Sequence, residues 1–146
     1  MRVSTKVEYG LIALADIAIH SENGSIVSAQ DISRRQGISH KYLEQILFLL
    51  RQAGLITAQK GLRGGYTLAC QPEETTLADV LNALDMNILA DMDSREEKGG
   101  LRPAVNTCFW DKINNGLNQY TSGLTLSEFA EQCKKSTTEN WDLYVI

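Results

Sequence analysis

Gly54 marks a change of period in the chain. Before it, Leu43, Ile46, Leu47 and Leu50 recur at i, i+3, i+4 and i+7, the stripe of a helix with one buried face. After it, "LITAQ" (55–59) and "GYTLA" (65–69) are short runs rich in β-branched and aromatic residues, and the glycine-rich "KGLRG" lies between them. Two such runs joined by glycines read as a hairpin. That order limits what the glycines can do. A Walker loop needs G-x-x-x-x-G-K-[ST] between a strand and a helix. Here the loop joins strand to strand, no Lys-Ser/Thr follows, and no βαβ unit surrounds it. A dinucleotide fingerprint fails for the same reason.

Three helical segments precede the hairpin. Residues 6–20 carry Val7, Leu11, Leu14, Ala15 and Ala18 at helical spacing, and "SENGS" (21–25) is a turn or loop. Ser28 opens a second, short helix, with Asp31 three residues on and Gly37 placed to end it. Ser39 caps the third helix, and Gly54 stands as its C′ residue. Beyond the hairpin, Thr76 starts a fourth helix whose apolar face is Leu77, Val80, Leu81 and Leu84. The predicted fold is mainly α with a small β-hairpin: a winged helix-turn-helix domain over residues 1–85.

The rest of the chain reads differently. Residues 86–104 are polar, charged and broken by glycine and proline, the composition of a flexible loop. A longer helix spans about 106–121, with Phe109, Trp110, Ile113, Leu117 and Tyr120, and Gly123 ends it. Thr125 and Glu128 form a T-x-x-E capping box for a short helix reaching about Lys135. These two helices make a segment 105–135, and a polar tail, 136–146, closes the sequence.

Charge divides along the same line. Net charge is −4 overall, but residues 1–66 hold eight Lys/Arg against five Asp/Glu, and residues 67–146 hold six against thirteen. Such asymmetry fits an anionic partner for the first half. The N-terminus "MRVSTKVEYG" lacks a signal peptide's apolar core, and no apolar run approaches the ~20 residues that cross a bilayer, so a cytoplasmic location is expected. Cys70, Cys108 and Cys133 are odd in number and far apart, which argues against a disulfide framework. No paired carboxylates and no His–Cys or Ser–His pair at sensible spacing suggest an enzyme.

In a winged helix the third helix enters the major groove and the wing reaches the backbone or the minor groove. Lys60 and Arg63 place charge on the wing, where a narrow minor groove attracts arginine. Helix pairs with a hairpin also serve in protein interaction, and there the glycines are simply a turn.

The segments "STKVEYGLIALADIA", "ISHKYLEQILFLLRQAGLI" and "KGLRGGYTLA" together resemble the Rrf2 family of bacterial regulators, strongly over residues 1–85 and loosely over 107–133. The resemblance implies a homodimeric regulator, a repressor in type, on a palindromic double-stranded operator. It implies that the helix with Phe109, Trp110, Ile113, Leu117 and Tyr120 is the dimerisation helix. It places Ser39, His40, Lys41, Tyr42, Glu44 and Gln45 at the recognition helix's DNA-facing start, with Ser28, Arg51, Lys60, Arg63 and Gly64 around them. Ser4, Lys6 and Tyr9 match a segment that touches the DNA backbone; many relatives carry a basic residue where this chain has Glu8. Gln can pair with adenine and Glu can accept from cytosine. A solvated helix residue is the plainer role for Glu44.

Sensor members of that family bind an iron–sulfur cluster through three cysteines before the dimerisation helix, sometimes with a histidine. Residues 86–110 contain one cysteine, Cys108, and no histidine, so no cofactor is expected. Cys108 beside a helix N-terminus would suit a redox thiolate; a small apolar side chain at the dimer face is the alternative. The ending Tyr144, Val145, Ile146 resembles the tail of the family's cysteine-metabolism regulators. It implies O-acetylserine thiol-lyase as a partner, with Ile146 as anchor; docking on the protein's own core is the alternative.

Overall fold

The computed structural model describes residues 4–88 and 99–144, with side chains described as far as Thr137. Helix α1 is Thr5–His20, α2 Ala29–Gln36 and α3 His40–Gln52. Strands β1 (Ile56–Gln59) and β2 (Gly65–Leu68) form the hairpin, and α4 (Leu77–Leu84) follows. A second helical run comprises α5 (Leu101–Val105), a π turn (Asn106–Trp110) and α6 (Asp111–Ser122), and α7 runs from Leu126 to Tyr144.

Ser28 and Ser39 cap their helices as expected, and Ser4, read only as a backbone-contact residue, caps α1 as well. Ser4, Ser28 and Ser39 each accept a backbone N–H at the start of a helix, from Val7, Asp31 and Tyr42. Asp31 does not complete a box; its carboxylate accepts from Arg34 Nη2 at 2.8 Å. Thr76 and Asp79 do form a reciprocal capping box. Gly54 follows α3 with φ of 76°, the left-handed position that a C′ glycine supplies.

One core joins these elements. Leu14 and Ile17 from α1, Ile32 from α2, Leu43, Ile46, Leu47 and Leu50 from α3, and Val80 from α4 are all fully buried in it. Leu126 of α7 joins the same cluster. Backbone bonds from Leu77 N to Leu124 O (2.9 Å) and from Leu126 N to Thr75 O (2.7 Å) fasten the start of α7 to the start of α4.

The hairpin pairs Ile56 with Leu68 through Gln59 with Gly65, antiparallel. It also has a third partner that the sequence does not announce. Val27, after the first turn, exchanges both backbone bonds with Tyr66, at 2.9 and 2.7 Å. This bridge ties the root of the wing to the loop before α2. It also explains Gly65: a Cβ there would stand 2.5 Å from the Val27 carbonyl oxygen.

Two expected boundaries need correction. Helix begins at Leu101 within the stretch read as loop, because Pro103 falls in a first turn, where its missing N–H does no harm. Residues 89–98 of that stretch lie outside the described residues. The helix read as ending near Lys135 continues to Tyr144. "STTENWDLY" contains neither glycine nor proline, so nothing in it stops a helix already nucleated at Thr125. Val145 and Ile146 lie outside the described residues.

Candidate nucleic-acid interface

Helix α3 divides into two faces. Leu43, Ile46, Leu47 and Leu50 are buried, while His40, Lys41, Glu44, Gln45, Phe48, Arg51 and Gln52 are exposed. At about 100° per residue, the exposed set spans a little over a third of the helix circumference, a row wide enough to line a groove. Glu44 has a partner on this face: His40 Nε2 lies 3.1 Å from its Oε1, one turn away. The imidazole thus shares the carboxylate with any base edge it could accept from.

The N-termini of α1 and α3 lie on one side of the molecule. Thr5 and Tyr9 of α1 line a shallow cleft with Gly37, Ile38, Ser39 and Tyr42. The Tyr9 and Tyr42 rings meet edge to face, centroids 5.7 Å apart. Two capped helix starts facing one cleft present orphan N–H groups and positive dipole ends, which suits phosphate. Lys6 is half-buried beside them, and Glu8 is exposed. Ser28 is half-buried and occupied in capping α2. Lys60 and Arg63 are exposed on the wing, around a fully exposed Leu62, and Gly64 is half-buried in the turn.

The helix-turn-helix is held by a buried charge. Asp16 of α1 accepts two bonds from Arg35 and one, at 2.8 Å, from Gln36. Burial pushes the Asp16 carboxyl up, but the Arg35 and Gln36 hydrogen bonds with the Arg35 charge outweigh it and hold it below its ordinary value. Sequence reasoning passed over this cluster, and over Phe48. An acid within an apolar helical run signals the first; a phenylalanine in the middle of a polar face signals the second.

On the second helical run, Phe109, Trp110, Ile113 and Tyr120 are 52, 40, 45 and 67% exposed. Leu101 and Val105, earlier in the same run, are exposed as well. Leu117 is half-buried instead. Phe109 and Trp110 pack edge to face at 4.9 Å. Cys108 is exposed, but it sits in the π turn, seven residues past Leu101. The helix N-terminus expected to favour its thiolate is therefore not beside it. Cys133 is half-buried, and burial raises its thiol.

These features define a winged helix-turn-helix protein with an appended helical arm. Residues 3–132 match the Rrf2 family, described as iron-dependent transcriptional regulators. The chain belongs to that family. It is 35% identical over 130 residues to the HTH-type transcriptional regulator IscR of Aliivibrio salmonicida, covering 88% of this chain and 76% of the relative. It resembles the solved structure of CymR, the global cysteine regulator of B. subtilis, with TM-score 0.77 and 27% identity over 90% of this chain and 98% of that one. IscR of T. potens matches with TM-score 0.73 and 29% identity, over 93 and 90% of the two chains.

The family description raises the question of iron. The three cysteines of the sequence fall in separate places: Cys70 just after the wing, Cys108 in the π turn and Cys133 on α7. Among the described residues no three His, Cys, Asp or Glu side chains converge as a metal site would require. The residues present do not fit a conventional thiolate-held cluster. Among the described residues no helix is long and apolar enough to cross a membrane.

Proposed function

We propose that this protein is a homodimeric, cluster-free transcriptional repressor that reads a palindromic operator and controls genes of cysteine and sulfur metabolism. Helix α3 enters the major groove, with Gln45 and Glu44 toward base edges. The starts of α1 and α3 meet phosphates through Ser4, Lys6, Tyr9, Ser39 and Tyr42, and Arg63 and Lys60 carry the wing onto the flanking backbone. The observation that supports the reading is the exposed polar face of α3, whose capped start shares a cleft with the start of α1 through Thr5, Tyr9, Ser39 and Tyr42. The wide separation of the three cysteines, together with the likeness to the B. subtilis cysteine regulator, supports the cluster-free assignment.

Selection of bound sites from random DNA, followed by mobility shifts across a salt series, tests the reading. A single palindromic motif with affinity falling steeply as salt rises is the expected result. Binding without sequence preference would overturn it. A cluster sensor is the competing assignment, favoured by the iron-dependent description and the IscR relatives. A brown protein on anaerobic purification would establish it instead.

The proposed partner is O-acetylserine thiol-lyase, captured by Tyr144, Val145 and Ile146. Because α7 runs to Tyr144, an extended peptide long enough to fill a pocket requires its last turn to unwind. Removal of Tyr144 to Ile146 should abolish pull-down of the thiol-lyase with the fold intact; unchanged pull-down refutes this partner.

A further inference from the structure

Phe48 is the side chain on α3 that the fold does not use. Its neighbours in sequence are core: Ile46, Leu47 and Leu50 are essentially fully buried. Phe48 itself is 54% exposed. Counted at about 100° per residue, it lies roughly 150° from the midline of the core stripe and near the middle of the exposed face. Lys41, Glu44, Gln45 and the half-buried Leu49 line an open depression with it, and Arg51 and Gln52 lie along the same face one turn further on. Phe48 adds nothing to the core there, and one ring with the edge of Leu49 is too small an apolar patch for a protein interface.

Its chemistry fits one group that a major groove offers. The pyrimidine C5 position carries a methyl in thymine, and that methyl is the groove's apolar feature, read by apolar side chains. Glu44 and Gln45 stand one turn before Phe48, so a helix that presents them to base edges presents the ring to the next step along the groove. We infer that Phe48 is a specificity-determining residue that packs on the C5 methyl of a pyrimidine, one base step from those facing Glu44 and Gln45. The inference rests on α3 being the groove-reading helix, as proposed above.

The test removes one methyl at a time. Each thymine of the selected operator is replaced by deoxyuridine, which deletes the C5 methyl and keeps every base-pairing group. At one position per half-site, wild-type affinity should fall about fourfold, the worth of one buried methyl. Phe48→Ala should bind the thymine and uracil operators equally, while Phe48→Leu should keep part of the preference. Phe48 is not a core residue, so each variant should give the wild-type circular dichroism spectrum. A methylated cytosine in place of cytosine distinguishes the two sources of such a methyl: if 5-methylcytosine restores the preference at that position, the ring reads the methyl and not thymine as a base. Wild-type indifference to uracil at every position overturns this inference alone. So does a preference that persists in Phe48→Ala. Failure to select any motif overturns the groove-reading assignment, and this inference with it.

Discussion

Asp16 of α1 and Arg35 of α2 form a two-pronged ion pair: Arg35 Nη2 donates to Asp16 Oδ1 at 2.7 Å, and Nε donates to Oδ2 at 3.0 Å. The Asp16 side chain is completely buried, and that of Arg35 is 30% exposed. His20 Nδ1 stands 2.9 Å from the Asp16 carbonyl oxygen, and Gln36 supplies a third side-chain bond to the carboxylate. The pair thus fixes the second helix, and the turn that leads to α3, on the scaffold helix. Removing Arg35 leaves a buried carboxylate without its main partner. We expect Arg35→Ala to destabilise the fold by about 3 kcal/mol, the lower end for a broken buried pair because Arg35 is partly solvated. Urea unfolding measures this. Arg35→Lys should recover little, since an ammonium cannot make the fork. A loss below about 1 kcal/mol would mean that water replaces the guanidinium freely.

The same pair sets a pH dependence. The Asp16 carboxyl is held below its ordinary value in the folded state, so folding favours the ionised form. Its contribution is complete above the unfolded-state value of about 3.9 and is lost as pH falls through the lower, folded value. Asp16→Asn removes that titration and leaves a neutral amide against Arg35. The variant should be less stable at neutral pH, and its stability should change less than wild type as pH is lowered through the acid range. Parallel curves for the two proteins would show that other carboxylates govern acid unfolding.

Much of this fold can be read in the chain because its signals are local. Ser28, Ser39, Gly37 and Gly54 bound their helices by capping chemistry, and the change of period at Gly54 announces the hairpin. The contacts that were not legible are those between residues distant in sequence. Nothing near Val27 signals that it will bridge Tyr66, and Asp16 meets Arg35 only after α1 and α2 have packed. The end of α7 is masked by composition: the polar stretch 136–144 reads as a tail, yet it holds no glycine or proline to stop a helix already nucleated upstream. At the candidate interface, the exposed polar side chains of α3 follow from its period. The His40–Glu44 contact, by contrast, is a local one, announced by i, i+4 spacing on one helix.

Gly65 offers a test of how the wing is anchored. An added Cβ would meet the Val27 carbonyl oxygen at 2.5 Å and Ile26 Cγ2 at 2.7 Å, so the Val27–Tyr66 bridge must open. Loss of two backbone bonds and local strain should cost about 1–3 kcal/mol in Gly65→Ala. Hydrogen exchange should speed at the Val27 and Tyr66 amides, and operator affinity should fall because the wing loses its fixed direction. Unchanged protection at both amides would show that the neighbouring chain yields without breaking the bridge.

Wing and helix should differ in what they contribute to binding. Arg63 is exposed beside the wing glycines, so its proposed contact is with phosphate or a narrow minor groove. Arg63→Ala should weaken binding to all sequences alike and reduce the salt slope by about one. Gln45 lies on the exposed face of α3. Gln45→Ala should leave the slope unchanged and relax one base preference by roughly 1–3 kcal/mol. Fluorescence anisotropy on operator and scrambled duplexes, over a range of salt, separates the two outcomes. A base-specific defect in Arg63→Ala would reverse the assignment.

The apolar surface of the second helical run bears on assembly. Phe109, Ile113 and Tyr120 are 45–67% exposed in the single chain and recur at spacings of four and seven, so they stack along one side of the helix. Water contact with that stripe is unfavourable, and an antiparallel copy of the same stripe would remove it from solvent. None of the three belongs to the central core cluster, so charges placed there should spare the fold. We expect the double variant Phe109→Asp, Ile113→Asp to sediment as a monomer with a wild-type circular dichroism spectrum, where the unaltered protein sediments as a dimer. Its operator affinity should fall by at least about a hundredfold, because two linked half-site contacts become independent ones. Affinity for an isolated half-site should not change. A variant that stays dimeric would move the self-association surface away from this helix, and a wild-type protein that is monomeric at micromolar concentration would overturn the homodimer itself.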